Sequence, residues 1–201
     1  MTGFFTVSLS SMIDALGEST VVNILSSFSC PKNKDVENFL KSKSIIFSKQ
    51  GISKTHLVFT SYKEEPVLIG YFALAPKYIV IKKGSLSKTL QKRISKFAIY
   101  DPATKEYRTA ASLIGQLGKN FTNNYNTLIT GNELLKMAID KIAKFQQEIG
   151  GKITYLECED NQNLLDFYKR NGFVTFGKRI LEKDETDTLK GEYLIQMLKY
   201  S

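Results

Sequence analysis

The spacing of apolar residues near the start of the chain predicts two helices. Apolar residues recur at intervals of three or four between Ser11 and Ser26, and again between Asp35 and Ser48. The Cys30-Pro31 pair separates the two segments and indicates a turn. The first quarter of the chain is therefore expected to be helical.

The pattern then changes to strand periodicity. His56–Ser61 and Val67–Ala75 are rich in apolar and β-branched residues and flank a polar, turn-like segment, so they predict a β-hairpin. Pro76 predicts the end of the second strand, with a short extended run at 78–81. Gly84–Phe97 has one apolar helical face, and its remaining face is rich in lysine.

The second half of the chain alternates strands with helices. Strands are predicted at Thr109–Gly118, Lys152–Cys158, Phe173–Leu181 and Tyr193–Lys199, and helices at Gly131–Gln147 and Asn161–Arg170. The two glycines of the first strand indicate close approach of another backbone. A charged loop is expected at 182–191. The strand–helix–strand order predicts a parallel crossover within one α/β domain, residues 1–201.

Composition removes several classes of protein. No apolar run approaches the roughly 20 residues that span a bilayer, and the first residues lack the features of a signal peptide. Two distant cysteines, Cys30 and Cys158, are expected to be reduced thiols in a cytoplasmic protein. The single histidine, His56, argues against a histidine-based metal site or a Ser-His-Asp triad, and no metal is expected.

The net charge of +8 is concentrated in one segment. Residues 77–120 contain ten Lys or Arg against two acidic residues, Asp101 and Glu106, so the other residues sum to zero. A localised excess of this kind favours a polyanionic partner such as a nucleic acid. The alternative is a basic face that is simply solvated, and the residues alone leave both interpretations open.

One segment has the features of a phosphate site. Asn126–Glu133, N-T-L-I-T-G-N-E, leads into the long predicted helix, whose first N–H groups and positive dipole end suit an anion. Gly131 would let the backbone approach a ligand closely. An ordinary helix start would have the same sequence features.

A second segment carries a family resemblance. D-F-Y-K-R-N-G-F, which ends at Phe173, resembles the helix-ending motif of the GNAT superfamily of acyl-CoA-dependent N-acetyltransferases, and Asn161 falls at the asparagine usual in that motif. Upstream, F-S-C-P-K-N-K-D-V-E-N-F-L and I-G-Y-F-A-L-A are similar to the branch that contains acetyltransferase toxins of bacterial toxin–antitoxin modules. The resemblance covers about residues 28–199. It implies a single-domain GNAT-like fold, a central mixed sheet of about six to seven strands flanked by helices, with a basic helical insertion at about 82–108.

The resemblance also implies an activity: transfer of an acetyl group from acetyl-CoA to a primary amine by direct attack in a ternary complex. Tyr168 would protonate the departing thiolate or orient the thioester, since a phenol with a pKa near 10 holds its proton at neutral pH. The alternative is a tyrosine that only packs in the core beside Phe167. Charged tRNA is the acceptor of that branch, and an antitoxin its protein partner. The resemblance implies these contacts with acetyl-CoA: the backbone of Leu117, Gly118 and Lys119 beside the pantetheine arm, Ile129, Thr130, Gly131 and Asn132 at the pyrophosphate, and the side-chain amide of Asn161. The alternative for Asn161 is a plain N-cap.

The sequence departs from the family pattern at the phosphate loop. The family's Q/R-x-x-G-x-G/A is matched here by residues 126–131, in which only the last glycine survives and Asn126 takes the first position. A cofactor-impaired scaffold that binds nucleic acid or protein is therefore the alternative. A general base is not evident; Glu157 and Glu159 qualify by position only, and solvated carboxylates are the simpler interpretation.

Overall fold

The computed structural model describes residues 3–183, 189 and 191–201, so most of the charged loop expected at 182–191 lies outside the described residues. Six of the 18 secondary-structure elements lie before the first long strand: β1 (Phe5–Ser8), α1 (Leu9–Leu16), α2 (Glu18–Ser26), α3 (Lys34–Asn38), a π-helix (Phe39–Lys43) and α4 (Ser44–Lys49). Next come β2 (Lys54–Tyr62), β3 (Glu65–Lys82), a 3-10 turn (Lys83–Ser85), α5 (Lys88–Ile94), β4 (Ile99–Asp101) and β5 (Glu106–Lys119). The last six are a 3-10 helix (Thr122–Thr127), α6 (Gly131–Ile149), β6 (Ile153–Glu159), α7 (Gln162–Arg170), β7 (Val174–Ile180) and β8 (Tyr193–Tyr200).

The chain divides into two compact units. Residues 1–75 and 114–141 form the first unit, and residues 76–113 and 142–201 form the second. Strands β3 and β5 and helix α6 each contribute residues to both units. None of the described helices is long and apolar enough to cross a membrane.

The first unit contains the N-terminal strands and the short helices. β1 pairs with β2 in the antiparallel sense. β2 and β3 are also antiparallel and form the predicted hairpin. Its core is built from the apolar faces of α1, α2 and α3 and from the inward side chains of β2 and β3. Tyr71 lies at the centre of this core, where its ring contacts Phe28 and its hydroxyl donates to the carbonyl oxygen of Val36 at 2.6 Å.

The second unit contains the crossover. β5 pairs in parallel with β6, at Ser112 with Thr154 and at Leu113 with Tyr155, and α6 lies between the two strands in the chain. β8 pairs in the antiparallel sense with both β6 and β7, and β4 forms a hairpin with β5. Two core residues, Ile94 of α5 and Tyr155 of β6, belong to one apolar cluster. The predicted parallel crossover and the α/β class are confirmed.

The sheet has eight strands among the described residues, against the six to seven expected. The additional ones are short: β1 has four residues and β4 has three, too few for a periodicity to be visible in the sequence. The basic insertion at 82–108 contains α5 and β4, so it is partly helix and partly hairpin.

Two predicted boundaries were wrong. The first helix breaks at Gly17, whose φ of 78° lies outside the helical region, so Ser11–Ser26 is two helices rather than one. The strand expected to stop at Pro76 continues to Lys82. Proline has no N–H to donate to a neighbouring strand. The pairing of β3 with β2 ends at Leu74, opposite Lys54, so no hydrogen bond to β2 is lost at Pro76.

Candidate functional site

The predicted phosphate loop lies against the end of β5, and one side chain joins the two. Lys119, the last residue of β5, donates from its ammonium to the carbonyl oxygens of Asn126 at 2.8 Å and Ile129 at 3.1 Å. Ile129 is buried, at 2% exposure. Burial, and then the nearby charge of Lys32, lowers the pKa of Lys119. The Lys119 ammonium thus holds the loop by two of its backbone carbonyl groups.

The start of α6 is closed by a capping box. Thr130 donates both its backbone N–H, at 2.8 Å, and its hydroxyl, at 2.7 Å, to the carboxylate of Glu133, and the N–H of Glu133 donates to the Thr130 hydroxyl at 3.2 Å. These bonds lower the pKa of Glu133. A carboxylate oxygen of Glu133 therefore already accepts from the N–H of Thr130, which was predicted to bind a phosphate.

The predicted pantetheine strand is tightly packed on one side. A Cβ on Gly118 would lie 2.3 Å from Cγ1 of Val36 and 3.4 Å from the Tyr71 ring, so the position accommodates only glycine unless Val36 moves. The sequence predicted close approach of another backbone at the glycines of this strand, but the atoms nearest to a Cβ on Gly118 belong to side chains. The strand itself is anchored by the next residue, Asn120, which is 1% exposed.

Asn120 connects three segments of the first unit. Its side-chain Oδ1 accepts from the N–H groups of Ser29 at 3.0 Å and Thr122 at 3.1 Å, while its side-chain Nδ2 donates to the carbonyl oxygen of Leu68 at 2.9 Å. A buried polar side chain with these partners sets the point at which β5 ends and the loop begins. Nothing in the sequence pattern distinguishes Asn120 from the other polar residues that follow β5.

The end of α7 in the second unit is a Schellman motif. The N–H of Phe173 donates to the carbonyl of Tyr168 at 3.1 Å, and the N–H of Gly172 donates to the carbonyl of Lys169 at 3.0 Å. Gly172 has the left-handed φ of 85° that the motif requires. Lys199 adds a hydrogen bond to the carbonyl of Asn171 at 2.9 Å. The four-residue spacing of tyrosine and glycine is thus a property of the helix end.

Tyr168 lies between two aromatic rings. Its ring centroid is 5.0 Å from that of Phe167 and 5.8 Å from that of Phe173, and the side chain is half-buried. Burial, and to a smaller extent Cys158, raises the pKa of Tyr168 above its usual range. Burial likewise raises the pKa of Cys158 to about 11. Both groups are therefore neutral at physiological pH, and the phenol is a hydrogen-bond donor.

Asn161 lies at the other end of the same helix. Its side-chain oxygen accepts from the N–H of Asn163 at 2.9 Å, so it is the N-cap of α7. It lines a cavity of about 390 Å³ that also contains three carboxylate side chains; the lining residues are Glu159, Asp160, Asn161, Gly191, Glu192 and Tyr193. Because the cap uses the oxygen, contact with a cofactor at Asn161 would fall to the amide nitrogen. This predicted role of Asn161 stays a prediction.

Glu157, a base candidate by position, is enclosed by donors. The Nε of Arg179 lies 2.9 and 2.8 Å from its two oxygens, and the hydroxyl of Tyr155 donates to the same carboxylate. Gln196 donates to the Tyr155 hydroxyl at 2.8 Å. A carboxylate with this many donors has little freedom to accept a proton from a substrate. The structure therefore favours a structural role for Glu157.

The structure brings the predicted residues together in two groups. In the first unit, Leu117–Lys119 and the loop 126–131 are joined by the Lys119 side chain; Asn132 follows in the first turn of α6. In the second unit, Asn161 and Tyr168 occupy the two ends of α7. Sequence reasoning missed the roles of the Lys119 ammonium and of Glu133. The second was readable, since Thr-x-x-Glu at a helix start is a capping-box signature.

Comparison with known proteins gives a fold. No protein-family profile matches the chain, and no curated protein matches it. Among solved structures, AtaT complexed with acetyl-methionyl-tRNAfMet aligns with a TM-score of 0.62 at 16% identity, covering 96% of this chain and 94% of that one. A tyrosine-to-phenylalanine mutant of KacT aligns with a TM-score of 0.62 at 16% identity, covering 96% and 93%.

A third structure holds two partners. A tyrosine-to-phenylalanine mutant of the AtaT toxin, bound to the C-terminus of the antitoxin AtaR and to acetyl-CoA, aligns with a TM-score of 0.54 at 14% identity, covering 88% of this chain and 84% of that one. These proteins match the branch that the sequence resembles. The predicted fold is therefore confirmed: the chain has the GNAT fold of the AtaT and KacT toxins.

Proposed function

We propose that the protein is an N-acetyltransferase that moves an acetyl group from acetyl-CoA to a primary amine. The observation that carries the proposal is the position of Tyr168, a neutral, half-buried phenol at the end of the helix that follows the parallel crossover. The chain also has the fold of proteins whose solved complexes contain acetyl-CoA and acetyl-methionyl-tRNAfMet. The two cysteines are free and buried, in keeping with the cytoplasm as the proposed site of action.

The chemistry that the donor supplies is an activated thioester. The amine lone pair attacks the carbonyl carbon, the new C–N bond forms and the C–S bond breaks. The nitrogen gives up one proton and the departing thiolate takes up one, so no proton is gained or lost overall. Tyr168 is the residue proposed to face that sulfur. Since its pKa is raised well above the roughly 8.5 of a thiol, donation of a hydrogen bond is favoured over complete loss of the phenolic proton.

The residues of the loop fit the phosphates of such a donor, with one adjustment. Backbone N–H groups at the start of a helix bind phosphate, and the N–H of Thr130 already binds a carboxylate oxygen. Glu133 would have to release that N–H, or share it, when a phosphate binds. Ile129, Thr130, Gly131 and Asn132 remain the proposed contacts at the pyrophosphate, and Leu117, Gly118 and Lys119 those at the pantetheine arm.

Replacing Tyr168 with phenylalanine tests the proposal. The variant keeps the ring, its packing on Phe167 and Phe173 and the backbone bonds, but loses the donor. Turnover should fall about a hundredfold or more, while acetyl-CoA affinity measured by calorimetry stays unchanged. Full turnover would remove Tyr168 from the mechanism. Failure of the unaltered protein to bind acetyl-CoA at millimolar concentration would overturn the proposed function itself.

The acceptor proposed is the α-amine of an aminoacyl-tRNA. The basic segment 77–120 carries the whole net charge, and within it α5 contributes Lys88, Lys92 and Arg93. The same segment also has exposed aromatic rings: Tyr78 is 58% exposed, and the ammonium of Lys83 lies 5.2 Å from the ring centroid of Tyr100. Cations beside exposed rings suit RNA, whose phosphates and bases both need partners.

Salt dependence separates tRNA from a small amine. Affinity for charged tRNA should fall steeply between about 50 and 200 mM salt, because each neutralised phosphate releases counterions. Turnover of a small amine that is indifferent to salt would argue against an RNA acceptor. In the tRNA interpretation, an antitoxin is the expected protein partner, and co-purification with the product of a neighbouring short gene would identify it.

A second function is supported by Glu133, whose carboxylate accepts from the N–H of Thr130. The first loop position is Asn126, where the family has glutamine or arginine. A scaffold with weak cofactor binding is therefore the alternative. Such a protein would act through its basic face as a nucleic-acid or protein binding module. It would bind RNA equally well with or without acetyl-CoA, and Tyr168→Phe would leave that binding unchanged.

A further inference from the structure

The side chain of Lys119 has a position that the acetyl-transfer chemistry does not by itself explain. It leaves the end of β5 and turns its ammonium onto two carbonyl oxygens of the loop, Asn126 at 2.8 Å and Ile129 at 3.1 Å. From this geometry we infer that Lys119 is the positioning residue of the phosphate loop, holding its N–H groups toward the pyrophosphate. The inference rests on the proposed function.

The planarity of the peptide bond links the two faces of the loop. In a trans peptide the C=O and the N–H of the same unit point in opposite directions, so fixing one fixes the other. The unit between Ile129 and Thr130 shows this: its carbonyl accepts from Lys119 and its N–H donates to Glu133. By the same rule, holding the carbonyl of Asn126 turns the N–H of Thr127 away from Lys119.

The N–H face of the loop already binds an anion. The carboxylate oxygen of Glu133 lies 2.8 Å from the nitrogen of Thr130, a distance that a phosphate oxygen would also adopt. The ammonium and the carboxylate thus occupy opposite ends of one peptide unit. Lys119 therefore fixes the orientation in which the loop accepts negative charge.

Lys119 also supplies what the loop sequence lacks. The side chain at the first loop position is the short, neutral Asn126, so the loop has no cation of its own among residues 126–131. Lys119 brings a positive charge to the loop from the strand before it. The ammonium is partly buried, which is costly for a cation unless its donors are satisfied, and the two carbonyls satisfy two of its three N–H donors.

The alternative is that Lys119 only stabilises the folded loop. A positioning role predicts a loss confined to donors that carry the pyrophosphate, whereas a general structural role predicts equal loss for all donors. Two probes separate them: acetyl-CoA, and S-acetylpantetheine, which has the same thioester and pantetheine arm without the phosphates. The proposed contact of the arm is with the backbone of Lys119, which a side-chain substitution leaves in place, whereas the side chain binds the loop. Lys119→Met removes the charge at similar length, and Lys119→Arg restores it.

The experiment measures dissociation constants of both probes, by calorimetry for acetyl-CoA and by ligand-observed NMR for S-acetylpantetheine. Lys119→Met should weaken acetyl-CoA about tenfold, as expected for loss of charge-assisted hydrogen bonds, and leave S-acetylpantetheine unchanged. Lys119→Arg should restore most of the affinity. The matched control is Lys49→Met, which removes one charge from an exposed pair with Glu18 and should change neither constant.

Equal weakening of both probes, or no weakening of acetyl-CoA, would overturn the inference. Amide hydrogen exchange provides a separate measurement without any ligand: the N–H groups of Thr127 and Thr130 should exchange faster in Lys119→Met and return to the original rate in Lys119→Arg. Unchanged exchange would also overturn it. If the unaltered protein binds no acetyl-CoA, the proposed function fails instead, and the exchange rates still decide whether Lys119 orients the loop.

Discussion

Phe173 donates its backbone N–H to the carbonyl oxygen of Tyr168 at 3.1 Å, and the two rings lie 5.8 Å apart. This pair closes α7 as a Schellman motif, with Gly172 in the left-handed conformation between them. The tyrosine–glycine–aromatic spacing that resembles a GNAT signature therefore has a backbone reason independent of chemistry. The proposed reaction therefore assigns a role only to the hydroxyl of Tyr168.

The first prediction concerns the backbone of that motif. Gly172→Ala should lower the free energy of unfolding by about 1 kcal/mol, because an L-residue at a φ of 85° is strained. Gly172→Asn should lose less, since asparagine tolerates this conformation. Thermal unfolding measures both. Gly84→Ala is the control, since Gly84 has no left-handed φ and no described atom lies within 4 Å of the added Cβ. Equal stability of Gly172→Ala and the unaltered protein would contradict the prediction.

The second prediction concerns the strand proposed to face the pantetheine arm. Gly118→Ala should destabilise the protein by about 1–3 kcal/mol, because the new Cβ would lie 2.3 Å from Cγ1 of Val36. In the double variant with Val36→Ala the contact is relieved, so its loss should be smaller than the sum of the two single losses, by about 1 kcal/mol. Denaturant unfolding of the four proteins measures this coupling. Strict additivity would show that the two side chains do not meet.

The third prediction concerns Glu133. Glu133→Gln keeps an oxygen for the Thr130 N–H, as glutamine also forms capping boxes, but removes the negative charge. Acetyl-CoA affinity should rise about twofold to fivefold, with little change in unfolding temperature. Glu148→Gln, at the opposite end of the same helix, is the control for net charge. A fall in affinity would mean that the carboxylate assists the binding of the donor.

The fourth prediction concerns the single histidine. His56 is 7% exposed, stacks on Phe72, and its Nδ1 has no hydrogen-bond partner among the described residues. Burial, and then the charges of Lys141 and Lys54, lowers the pKa of His56 to about 4. The folded state therefore binds fewer protons than the unfolded state, whose histidine has a pKa near 6.5.

It follows that the contribution of His56 to stability is fully present above about pH 6.5 and is lost as the pH falls from there toward about 4. His56→Phe should remove this part of the pH dependence while keeping a ring against Phe72. Denaturant unfolding from pH 8 to pH 5 measures the difference between the two proteins. A difference that stays constant with pH would contradict the prediction.

The fifth prediction concerns Glu157. Because Arg179 and Tyr155 already hold its carboxylate, Glu157→Gln should leave Arg179 without its anion and lower the unfolding temperature. Acetyl transfer measured below that temperature should stay within about threefold of the unaltered rate, well short of the loss expected for a general base. A loss of a hundredfold at normal donor affinity would restore Glu157 as a base.

The sequence by itself determined the order of the elements and the class of fold. The strand–helix–strand crossover, the pairing of β2 with β3, the helix α7 and its glycine stop were all predictable, because periodicity and turn residues report local backbone preference. The continuation of β3 beyond Pro76 was not predicted. The resemblance that singled out Tyr168 also rests on a local pattern of residues, while the role of that tyrosine in the reaction stays a proposal. Its spacing from Gly172 is local and is recorded in the chain.

The tertiary structure decided what depends on distant contacts. Gly118 is required because Val36, 82 positions earlier, packs against it, and the end of β5 is set by Asn120 binding Ser29 and Leu68. Lys119 acquires its role from carbonyl groups of a loop whose path no periodicity predicts. Hydrogen bonds and van der Waals contacts act over a few ångströms in space, and the sequence does not show which of its residues the fold brings within that range.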